Sequence, residues 1–154
     1  ISDYNRDRAY NIKDATAIQK HLAGLDPEML EFTVSEPVRI PTDTKDHDTY
    51  VKLVSSRAEL ESELEVAYGE ASSADEIYTD SYFEEKSIVF ILDVIGSTRE
   101  HQRIDKVTAD GNVLTVYRRI VGPSNPLRDI NYQYILIELD KESVKNIENI
   151  ELLF

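Results

Sequence analysis

The segment Ser87-Ile88-Val89-Phe90-Ile91-Leu92-Asp93-Val94-Ile95 constrains the fold more than any other. Its apolar side chains do not alternate with polar ones, so a strand formed from it is buried on both faces. Around it stand further strand signals. Tyr50-Val51-Lys52-Leu53-Val54 is a candidate strand, and Tyr132 to Leu139 is strongly apolar. Arg103 to Ala109 and Val113 to Val121 are joined through Asp110-Gly111-Asn112, a hairpin signal. Ile147 to Phe154 reads as a last strand after a short helix over Glu142 to Lys145. Ser56-Arg57-Ala58-Glu59 is capping-box text, and Leu60, Leu64 and Tyr68 then share one helical face before Gly69. The expected class is α+β: a mostly antiparallel sheet of about five strands with one helix packed on a face.

Composition excludes several functions. In 154 residues, 30 acids face 17 bases, a net charge of −13. Nucleic acid is an unlikely partner for such a chain, because phosphate binding needs a basic face. Anionic lipid surfaces are disfavoured for the same reason, and no apolar run is long enough to span a membrane. Cysteine is absent, which removes disulfides, thiolate metal sites and a cysteine nucleophile. Residues 56–100 hold 12 acids against 3 bases, an acidic flank read as a solvated face or as the surface for a basic partner. Within it, Ala71 to Tyr82 reads as an acidic loop.

The N-terminus carries the sharpest motif, Asp3-Tyr4-Asn5-Arg6-Asp7-Arg8-Ala9-Tyr10-Asn11-Ile12-Lys13-Asp14. Oxygen-bearing side chains fall at loop positions one, three, five, nine and twelve, the spacing of an EF-hand-type calcium loop. Calcium takes six to eight oxygens, and a tight loop turns alternate side chains inward. Asp3, Asn5 and Asp7 would supply side-chain oxygens, Ala9 its carbonyl, Asn11 a direct or water-mediated contact and Asp14 the closing carboxylate. Position six holds Arg8 where glycine is usual, and Asp14 is shorter than the usual glutamate. An Asx-rich turn capping the next helix is the alternative. That helix, from Ala15 to Leu25, sets Ile18, Leu22 and Leu25 on one face, with Gly24 as its C-cap.

Asp3, Asn5, Asp7, Asn11-Ile12-Lys13-Asp14-Ala15-Thr16, Ile18-Gln19-Lys20 and Leu22-Ala23-Gly24-Leu25 together resemble one type I-like repeat of a dockerin. The resemblance implies a calcium-folded module that docks onto a cohesin domain of a scaffold in a secreted, plant-fibre-degrading assembly. It also implies cohesin contacts at Ile12, Lys13, Gln19 and Lys20, although Lys13 and Lys20 are equally readable as solvated charges. Dockerins carry two repeats. The second is not found downstream, so it is expected upstream of Ile1, and the single loop is expected to bind calcium weakly. With Ile rather than Met at position 1, a processed product or a fragment is expected.

The domain organisation that follows is a partial dockerin over residues 1–25, a linker over 26–49 and a body over 50–154. The linker is punctuated by Pro27, Pro37 and Pro41, with a short strand at Val38-Arg39-Ile40. Its Asp46-His47-Asp48 reads as solvated rather than chelating, because neighbours in an extended segment point opposite ways. The body text at Ser81 to Phe90, Gly96-Ser97, Ile104 to Val116 and Tyr134 to Lys141 is similar to the C-terminal domain of PrcB, an accessory subunit of a secreted protease complex. That resemblance implies a non-catalytic domain that stabilises a partner protease.

No reaction centre is legible. His21, His47 and His101 stand in no metalloprotease spacing, and Gly96-Ser97-Thr98 lacks the second glycine of a nucleophile elbow. Residues 101–136 carry 5 bases against 3 acids, and with Tyr117, Tyr132 and Tyr134 they read either as a binding face or as ordinary strand packing. The expected function is a non-catalytic, secreted, cellulosome-associated protein. Its dockerin binds cohesin in the presence of calcium, and its body binds a partner protein, with a protease favoured. A polysaccharide-binding module, a protease inhibitor and an unrecognised hydrolase are the alternatives.

Overall fold

The computed structural model describes residues 12–40, 48–69, 73–95, 100–122 and 131–154. In chain order its elements are α1 (Ile12–Leu22), β1 (Glu28–Met29), β2 (Phe32–Val34), β3 (Val38–Ile40), β4 (Tyr50–Val54) and α2 (Arg57–Tyr68). There follow α3 (Tyr82–Glu85), β5 (Lys86–Ile95), β6 (His101–Asp110), β7 (Val113–Val121), β8 (Asn131–Asp140), α4 (Lys141–Val144) and β9 (Asn149–Leu153). The class is α+β, as expected. The single sheet of about five strands is corrected to two sheets. One has the order β1-β6-β7-β9. The other runs β2-β8-β5-β4, with β3 also paired to β8. Pairing is antiparallel except between β7 and β9, which run parallel.

The central strand explains the layering. In β5, Ile88, Phe90 and Leu92 face α2 and pack with Leu60, Leu64, Ala67, Tyr78 and Phe83. Val89 and Ile91 face the other way and meet Val107, Leu114 and Val116 of the four-stranded sheet. Helix, sheet and sheet therefore form three layers, and the middle one is apolar on both faces. The double burial read from the sequence is met by α2 on one side and by a second sheet on the other.

α2 forms where its caps direct. The Ser56 side chain accepts from the Glu59 N–H at 3.2 Å, and the Glu59 carboxylate accepts from the Ser55 N–H at 2.7 Å. Gly69 ends the helix at φ 73°. The hairpin turn at Gly111 also has positive φ, 63°. A β-bulge between Ile104 and Lys106 shifts the register of β6. It keeps Gln102 and Ile104 on the inward side together with Val107. Residues 28–40, within the stretch read as a linker, supply three short strands, and Leu30 and Ile40 are buried. A short helix, α3, stands at the end of the stretch read as an acidic loop. Among the described residues, no helix is long and apolar enough to cross a membrane.

Candidate functional site

The expected calcium-loop residues Asp3, Asn5, Asp7, Ala9 and Asn11 lie outside the described residues. Asp14, the expected closing ligand, lies in the first turn of α1. It is 1% exposed and is the one buried residue of that helix. The described helix, Ile12–Leu22, starts and stops three residues earlier than the expected Ala15–Leu25, with Gly24 just past its end as the expected cap. Gly24 has φ 68°, its N–H donates to the His21 carbonyl, and the Leu25 N–H donates to the Lys20 carbonyl at 2.8 Å. This is a Schellman closure.

The expected partner-binding residues share this helix. Ile12 is 78% exposed, and Lys13 and Gln19 are exposed. Lys20 is half-buried and forms an ion pair with Asp110 at the β6–β7 turn, which ties α1 to the body. The apolar residues read as one face, Ile18, Leu22 and Leu25, are all exposed, Leu22 at 80%. In a surface helix that packs on its own core, such a stripe is covered. His21 contacts Asp26 at 2.9 Å, with both side chains exposed.

The body holds two polar features that the sequence reading did not single out. The first lies between the sheets. Asp93, the lone acid in the apolar β5 run, faces Arg118 of β7 in an ion pair, and both are at most 5% exposed. Thr49 donates to Asp93 Oδ1 at 2.6 Å, and Arg118 donates to Gln102 at 3.0 Å. Gln133, opposite Asp93 in register, donates to the Glu100 carbonyl at 2.8 Å. Arg118 Nε, Gln102 Nε2 and Gln133 Oε1 have no partner among the described residues, which makes the cluster costly to bury. The guanidinium also lies 4.4 Å from the centre of the Phe154 ring. Parity was the available signal: Asp93 shares the inward side of Val89 and Ile91, and Arg118 that of Leu114 and Val116.

The second feature is a tyrosine layer beneath α2. Phe90 stacks between Tyr50 and Tyr134, with ring centres 6.0 and 5.4 Å away, and Tyr78 meets Tyr82 edge-on at 5.2 Å. Tyr50 donates to the buried Glu63 at 2.9 Å, and Lys52 pairs with the same carboxylate. Burial pushes the Tyr78 hydroxyl up to about 12, reinforced by Glu138 and Asp75. Burial also raises Tyr50, Tyr82 and Tyr134; Glu63, Glu138 and Tyr68 respectively add to it. The tyrosines read as a binding face are separated. Tyr132 and Tyr134 belong to this layer, whereas Tyr117 lies on the four-stranded sheet with Lys106 4.0 Å from its ring centre.

His101 is exposed, and His47 lies outside the described residues. Among the described residues, no three His, Asp or Glu side chains gather in a metal-sized cluster. Comparison with known proteins returned no match to a family model, a curated protein or a solved structure.

Proposed function

We propose that this chain is a non-catalytic docking protein of a secreted, cellulosome-like assembly. In this reading the N-terminal segment is one dockerin repeat. Calcium held by Asp3, Asn5, Asp7, Ala9, Asn11 and Asp14 orders it. Ile12, Lys13, Gln19 and Lys20 meet a cohesin domain. The body binds a second protein, and a secreted protease is the favoured class through the resemblance to PrcB.

The observation that carries the reading is the inverted burial of α1. The helix keeps Ile12, Ile18 and Leu22 in solvent, as Leu25 just past its end is, and buries Asp14. A helix that uses its apolar stripe for its own core does the opposite. A module that completes itself with a cation and a partner helix needs this arrangement.

The test is a cohesin pull-down with the chain as given and with a version extended upstream, each in calcium and in chelator. The reading expects calcium-dependent capture, strengthened by the extension. Capture that is equal in chelator, or absent from both versions, overturns it.

A further inference from the structure

The two sheets leave an edge open on the same side of the sandwich. Among the described residues, β4 pairs only with β5, and β9 only with β7. A cleft of about 320 Å³ lies between these edges, lined by Val51, Lys52, Leu53, Ile147, Glu148 and Ile150. We infer that this edge accepts an extended, basic peptide segment of a partner protein as an added strand on β4, with one apolar side chain of that segment seated in the cleft. The inference deepens the partner-binding reading of the body and rests on it for the expectation that the occupant is a protein.

Three observations select this occupant. The first is the edge itself. Alternate residues of β4 turn their N–H and C=O groups away from β5, and an extended backbone matches that repeat. Proteins usually blunt such edges with bulges, prolines or free charges. β4 is regular over its whole pairing with β5, and its one charge, Lys52, is already paired with Glu63. The second is the size and lining of the cleft. Its volume sits at the low end of the roughly 300–1,000 Å³ of ligand pockets, which suits a side chain better than a free ligand. Four of its lining residues, Val51, Leu53, Ile147 and Ile150, are apolar and only partly buried.

The third is charge. The cleft wall and β9 carry Glu148 and Glu151, and the one base of β4, Lys52, is already paired with Glu63. Glu148 stands in the cleft wall, and among the described residues its carboxylate accepts only a neutral amide, from Asn112 at 2.7 Å. A basic segment is drawn to such an edge and an acidic one repelled.

The test uses the intact chain and a fluorescent peptide of alternating valine and lysine, read by anisotropy and by hydrogen exchange. Saturable binding is expected, with new protection at the amides of β4. Methylating alternate peptide nitrogens removes backbone donors at unchanged charge and should weaken binding about tenfold or more. Glu148→Lys, at an exposed position, should weaken it as well. No binding overturns the inference. So does equal affinity for the N-methylated peptide or for an alternating valine–glutamate peptide, or protection at another edge. A protein partner that binds wild type and Glu148→Lys equally, and leaves β4 unprotected, removes the edge site but keeps the partner-binding reading. Peptide binding at β4 without any protein partner does the reverse.

Discussion

α1 and α2 differ by one residue in length, eleven against twelve, and both carry apolar residues at helical spacing. Their burial is opposite. α2 covers the five-stranded sheet with Leu60, Leu64 and Ala67, and it buries Glu63 only where Tyr50 and Lys52 satisfy the carboxylate. α1 shows its apolar residues to solvent and buries Asp14. The spacing of apolar residues says that a helix has a face. It does not say whether the chain's own core covers that face. α2 is part of the body's core, whereas the one described ion pair from α1 to the body is Lys20 with Asp110.

The contrast breaks or sharpens according to where stability resides. The largest losses should come from buried contacts of the body. Arg118→Ala strands the Asp93 carboxylate between the sheets and should cost about 3–5 kcal/mol in urea unfolding. Replacing both partners, Asp93→Leu with Arg118→Met, should be close to neutral, which separates the cost of an unpaired charge from the worth of the pair. On the α2 side, Leu60→Ala should cost roughly 2–5 kcal/mol, because the residue is fully buried.

Alkaline pH should act through the layer that α2 covers. The Tyr78 hydroxyl is raised from 10.0 to about 12, and Tyr50, Tyr82 and Tyr134 are raised as well. The unfolded chain loses these protons first. The stabilisation is thus complete below pH 10 and withdrawn as pH climbs from 10 towards 12. Tyrosinate absorbance should lag behind that of free tyrosine and then rise together with loss of helical signal. Early ionisation with the fold intact would place these tyrosines in solvent.

Smaller effects should divide the helices. Ser56→Ala removes the α2 cap and should cost about 1 kcal/mol. Leu22→Ser, on the exposed stripe of α1, should change the body's unfolding by less than about 0.5 kcal/mol. A loss near that of Leu60→Ala would show α1 to be part of the core after all.

Much of the body was legible because its elements are long and strongly patterned. β4 and β7 occupy the ranges that their sequences indicate, and β5, β6 and β8 differ by a residue or two at their ends. The second sheet was missed although β5 pointed to it: a strand buried on both faces needs two covering layers, and only one helix was assigned. β3 stands where the short strand Val38-Arg39-Ile40 was read, but β1 and β2 are two and three residues long, too short for a period. Only pairing with distant β6 and β8 defines those two. The Asp93–Arg118 pair needed the relative placement of two strands far apart in the chain. Of the expected calcium ligands, Asp14 alone falls among the described residues. Its burial depends on surroundings that helical spacing does not encode.

The central claim is that the N-terminal segment is an ion-binding docking module, and calcium calorimetry on the intact chain tests it most directly. The account predicts a saturable heat that disappears in Asp14→Ala and in Asp3→Ala combined with Asp7→Ala, while the body's unfolding stays close to wild type. No heat from the wild-type chain, or a heat that both variants retain, contradicts it.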